Sequence, residues 1–79
     1  MSRSIIKRLS DLKAGETANV VEVHGSDAVS KRLMEMGVVP GAEVRMVKPA
    51  PFGDPVEIRL RGYSLALRKN EANAVEVSL

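Results

Sequence analysis

His24 is the only histidine in a chain of 79 residues that contains no cysteine. Those two counts close off most metal and redox chemistry. Without thiols there is no disulfide framework and no thiolate metal site. Divalent transition ions without thiolate ligands are commonly held by imidazole with carboxylate, as in a set of two histidines and one acid, and one histidine cannot supply that set. Glu22 stands two positions before His24 and makes a weak two-ligand site conceivable. A turn histidine at a strand end is the simpler account, so the sequence assigns no metal ligand and no cofactor. Catalysis fares no better. The carboxylates are dispersed, His24 has no serine or acid at a spacing that local structure would bring into a triad, and there is no Gly-x-x-x-x-Gly-Lys-Ser/Thr run to cradle phosphate. The chain reads as a non-enzyme.

Residues suited to holding a partner are easier to find. Phe52 sits in Pro49-Ala50-Pro51-Phe52-Gly53-Asp54-Pro55, where three prolines remove three backbone donors in seven residues. A large apolar side chain on a stiff loop loses little entropy on docking. It would equally serve as a plug for one end of a small barrel. Met34, Val39 and Pro51 are expected to share a patch with it. Arg59, Arg61 and Arg68 fall on outward positions of their strands and form a solvated face or a complement to an acidic partner. That face has no stacking aromatics, since Phe52 and Tyr63 are the only two in the chain, and single-strand binders of this size use such rings. Nucleic acid is therefore not the expected partner, and a stand-alone regulatory or nucleic-acid-binding barrel is the alternative reading. The net charge of +2, with Arg3, Lys7, Arg8 and Lys13 near the start, describes a solvated terminus rather than a polycation.

These residues are held by one helix set among strands. Ser26 or Asp27 caps a helix over residues 27–36, and Asp27 favours its positive end. Val29, Leu33 and Met36 share its apolar face, while Met34 lies off that stripe. Gly37 supplies the left-handed residue past the helix end, which requires Val38 to fold back on Leu33. Pro40 and Gly41 occupy the central positions of a type II turn. Gly53, and Asp54 before Pro55, are read as turn residues.

Thr17–Val23 is β-branched but alternates imperfectly. Either both faces are partly covered or a bulge shifts the register after Val20. Glu43–Lys48 turns Val44 and Met46 one way. Residues 56–61 put Val56, Ile58 and Leu60 inward, Arg61-Gly62 turns the chain, and Tyr63, Leu65 and Leu67 are expected inward on the return. A helical turn over Lys69–Asn73 precedes a last strand over 74–79, with Val75, Val77 and Leu79 inward. Residues 10–16 form a turn with Leu12 buried, begun by a Ser10 or Asp11 cap and ended at Gly15. Residues 1–10 are a tail or a first short strand. The sum is mainly β with one short α-helix, a single domain over 1–79, and a small SH3-like barrel of about five strands. An OB-like barrel is the nearest competitor.

A chain this short buries only about 60% of the surface its unfolded form exposes, so its core is small. No stretch approaches the roughly 18 apolar residues of a membrane span, and none reads as a secretion signal. A cytoplasmic protein is expected, without direct membrane insertion. Apolar barrel edges leave weak homo-oligomers open.

The chain resembles the FeoA family, the small cytosolic component of bacterial ferrous iron uptake. The resemblance rests on Leu9-Ser-Asp-Leu-Lys-Ala-Gly-Glu16, Lys31-Arg-Leu-Met-Glu-Met-Gly-Val-Val-Pro-Gly41, Ala50-Pro-Phe-Gly-Asp-Pro-Val56, Arg61-Gly-Tyr-Ser-Leu-Ala-Leu-Arg68 and Glu71-Ala72. Each piece is weak alone; their order and spacing make the set specific. The resemblance implies an SH3-like barrel and a non-enzymatic role beside FeoB, a membrane Fe(II) transporter with a cytosolic GTP-binding domain, whose activity it would modulate from the inner face of the membrane. The module also occurs at the carboxy end of iron-dependent repressors. Here Met1 opens the chain with no helix-turn-helix before the barrel, which speaks against that reading.

Overall fold

The computed structural model describes residues 5–49 and 55–79. Six strands form one antiparallel sheet: β1 (Ile6–Arg8), β2 (Thr17–Val23), β3 (Glu43–Lys48), β4 (Val56–Leu60), β5 (Tyr63–Leu67) and β6 (Val75–Ser78), in the order β1-β6-β2-β3-β4-β5. A 3-10 turn over Leu9–Asp11, helix α1 (Asp27–Glu35) and the short helix α2 (Lys69–Asn73) complete the fold. The extra strand beyond the five expected is β1, whose three residues are too few to show any period.

Alternation builds the interior. Val44 and Met46 of β3, Val56, Ile58 and Leu60 of β4, and Val75 and Val77 of β6 are all buried. They meet Leu33 of α1 and Leu9 and Leu12 of the first turn in one cluster. Of the two expected acceptors, it is Asp11 that takes a backbone N–H at the start of that turn. Its cap position is Arg8, and the Asp11 carboxylate accepts the Arg8 backbone N–H at 3.4 Å. The 3-10 turn ends at Leu12, and Gly15, at φ +90°, belongs to a separate turn closed by the Glu16 N–H on the Lys13 carbonyl at 3.0 Å.

The irregular β2 resolves as a bulge. Val20 pairs with Val77, then the register slips so that Glu22 faces Glu76 and Val23 faces Val75. Val20 stays buried, while Val21 and Glu22 are both exposed. One extra residue on one strand does this, because the ladder can skip it only by a local kink.

Two inward assignments are corrected. Tyr63 is 44% exposed and Leu79 is 39% exposed. Tyr63 opens β5 at the hairpin mouth, beyond the layer that Leu67 and Ile58 close. Leu79 lies past the last residue of β6.

Candidate functional site

The surface around the end of α1 is set by local chemistry. Ser26 caps the helix, its hydroxyl oxygen accepting the Val29 N–H at 3.3 Å. The helix stops at Glu35, one residue short of the expected end, with Met36 as its cap residue. The Val38 N–H reaches the Leu33 carbonyl at 2.9 Å and the Gly37 N–H reaches that of Met34 at 3.0 Å. This pair is the Schellman stop, with Val38 buried beside Leu33. Gly37 sits at φ +94°, where a side chain is strained. A Cβ there would also lie 2.6 Å from the Tyr63 hydroxyl oxygen. That hydroxyl donates to the Met36 carbonyl, so the β4–β5 hairpin holds the helix end.

The next turn is docked with equal economy. Ala42 donates to the Val39 carbonyl at 3.0 Å across Pro40-Gly41, and Gly41 has φ +92°, as a type II turn needs. Gly41 N–H to the Val20 carbonyl and Val20 N–H to the Ala42 carbonyl, both 2.8 Å, fasten the turn to β2.

A groove of about 940 Å³ opens between this turn and the β4–β5 hairpin. Val39, Pro40 and Tyr63 give it apolar surface, and Arg45, Arg59 and Arg61 give it positive charge. Arg45 and Arg59 stand directly opposite one another in the β3–β4 register. Like charges so placed repel, and an anionic partner would relieve that repulsion. The sequence pointed to Arg59 and Arg61 by their alternation. Arg45 and Tyr63 were missed, because only cross-strand register brings Arg45 to Arg59 and only the hairpin mouth brings Tyr63 to Gly37.

Met34 is exposed as its position off the apolar stripe predicts, at 51%. It lines a separate concavity of about 470 Å³ with Asp27, Ser30, Lys31 and Glu35. Met34 and Val39 therefore line different concavities. Helical geometry carries Met34 onto the outer face of α1, while the chain reverses at Gly37 before reaching Val39. Pro51, Phe52, Gly53 and Asp54 lie outside the described residues; Pro55 is exposed. Arg68 does not join the other arginines. It precedes α2, where its backbone N–H donates to the Glu71 carboxylate at 3.0 Å. Glu71 is 4% exposed and its second oxygen lies 3.6 Å from the Arg32 guanidinium of α1, tying the two helices together.

His24 has a partner that spacing does not show. Its Nε2 lies 3.0 Å from a Glu76 carboxylate oxygen on β6 and 3.9 Å from one of Glu22. Among the described residues no helix is long and apolar enough to cross a membrane.

Comparison with known proteins identifies the domain. The FeoA domain profile matches residues 7–79. A FeoA protein from Chlorobium tepidum is 42% identical and superposes with a TM-score of 0.83 over 92% of this chain and 70% of that one. The FeoA of Stenotrophomonas maltophilia, solved with zinc and described as an SH3 domain protein, is 40% identical with a TM-score of 0.79 over 90% of this chain and 88% of that one. An Fe(2+) transport protein A/Fe(2+) transporter FeoB fusion protein of Porphyromonas gingivalis is 42% identical over 72 residues, which are 91% of this chain but 8% of that protein. The chain thus belongs to the FeoA family, and it has that family's SH3-like fold.

Proposed function

We propose that this chain is an accessory protein that binds the cytosolic GTP-binding region of a FeoB-type transporter and modulates its activity from the cytoplasmic side. The observation that carries this reading is the relative in which the same domain is fused to FeoB in one polypeptide. Fusion makes docking intramolecular and holds the partner at an effective concentration on the order of millimolar. Such a linkage serves a domain that works on the transporter.

The contact surface we assign is the groove of Val39 and Tyr63 with its arginine wall, extended by Met34 on α1 and, on sequence grounds, by Pro51 and Phe52. Apolar anchors beside fixed positive charge suit an acidic patch on the transporter. The charges would speed encounter and the anchors would set residence time. Isotope-labelled protein titrated with the transporter's cytosolic domain, with and without a GTP analogue, tests this by NMR. Amide shifts are expected around Val39, Arg59 and Tyr63, with affinity falling as salt rises. Unchanged shifts there at saturating partner would remove the surface, and no binding in either nucleotide state would remove the function.

A further inference from the structure

Glu22, His24 and Glu76 bring three ligand atoms within 4.8 Å of one another on the outer face of β2 and β6. The bulge after Val20 is what assembles them. Without the skipped residue, Glu76 would face Val21; with it, Glu76 faces Glu22 directly. Two carboxylates opposed on adjacent strands repel and destabilise the pairing. A cation between the acids would relieve that opposition. His24 follows two residues after Glu22 on the same face and turns its Nε2 into the gap. Bulges often re-aim a side chain next to a site, and this one sets an otherwise repulsive pair against an imidazole.

We infer that Glu22, His24 and Glu76 form a binding site for a divalent first-row transition ion. One imidazole and two carboxylates suit Mn(II), Fe(II) or Zn(II), and without thiolate they do not select Cu(I). Donors on a common ion with bonds of about 2.0–2.2 Å stand roughly 3.0–3.4 Å apart. The 3.0 Å between His24 Nε2 and Glu76 already meets that spacing. The 3.9 Å to Glu22 closes by rotation of a side chain that is 64% exposed. His24 and Glu76 are 41% and 27% exposed at the side chain, so an ion enters from solvent and keeps water at its remaining positions. The His24 N–H donates to the Ala74 carbonyl at 2.6 Å, and a Cβ at Gly25 would meet Ala74 and Val29, so the ion would sit next to the junction of β2, α1 and β6.

The test uses the isolated chain and so stands apart from any transporter interaction. Calorimetry with Mn(II) and Zn(II), and with Fe(II) under anaerobic conditions, is expected to show one ion per chain. Mn(II) is expected to broaden the amides of Val23, His24, Val75 and Val77 first. His24→Gln, Glu76→Gln and Glu22→Gln are each expected to weaken binding by at least about 10-fold, with Glu57→Gln, on β4, unchanged. Urea midpoints for each variant separate lost binding from lost folding. No saturable binding, broadening centred elsewhere, or folded variants that bind as the parent does would each overturn the assignment.

Discussion

The end of α1 and the β2–β6 bulge are built on opposite plans. At the helix end, consecutive residues do the work. Leu33 to Val38 close the Schellman stop and Val39 to Ala42 close the next turn, with backbone bonds made inside ten residues or to β2 and a single side-chain bond, from Tyr63, added across the chain. At the bulge, the parts lie far apart, since His24 and Glu76 are separated by 52 positions. The first plan shapes backbone and covers core. The second gathers titratable side chains on a solvated face and leaves the core beneath unchanged, with Val20, Val75 and Val77 buried as before. Changes at the helix end should therefore register as stability, and changes at the bulge as ligand binding.

The largest effect expected is at Gly37. Gly37→Ala places a side chain at φ +94° and pushes the Tyr63 hydroxyl aside, and should cost about 2–4 kcal/mol from backbone strain plus a lost hydrogen bond. Urea denaturation measures it. A loss below half a kcal/mol, roughly the scale of a neutral surface change, would break the comparison at its strongest point. Tyr63→Phe isolates the hydroxyl contact with the Met36 carbonyl and should cost about 0.5–1.5 kcal/mol. In the Gly37→Ala background its cost should shrink, because the two changes share one contact; full additivity in the double-mutant cycle would show that the hairpin does not hold the helix end. Ser26→Ala removes the cap that accepts from Val29 and should cost about 0.5–1 kcal/mol at this exposed position. Hydrogen exchange localised to the first turn of α1 would confirm its source. Smallest of all is Glu76→Gln. It relieves the opposition to Glu22 and should change stability by no more than about 0.5 kcal/mol, while losing most divalent-ion binding. A large destabilisation in metal-free buffer would make Glu76 a structural residue instead.

Legibility in the sequence follows the same division. The cap at Ser26, the stop at Gly37 and the turn at Pro40-Gly41 were readable because each depends on residues within four or five positions. Strands β3 and β4 were readable from alternation, since their inward residues repeat every second position. Tyr63 misled because alternation gives the side of a strand but not how far along it the core extends. The proposed contact surface was legible only in pieces. Met34 was expected off the apolar stripe and is exposed, yet Met34 and Val39, five residues apart in sequence, line different concavities.

The sequence by itself determined the class of the protein. No cysteine, one histidine and dispersed acids ruled out the common catalytic sets, and ordered local signatures specified a helix between strands and the FeoA family. Tertiary structure alone decided which charged groups meet. Arg45 opposes Arg59, Glu71 is drawn in against Arg32, and Glu76 joins Glu22 and His24. The physical reason is register. A strand's side-chain period is two, so a single skipped residue in β2 moves a carboxylate to the other face. Nothing in the local sequence records which strand will lie alongside to meet it.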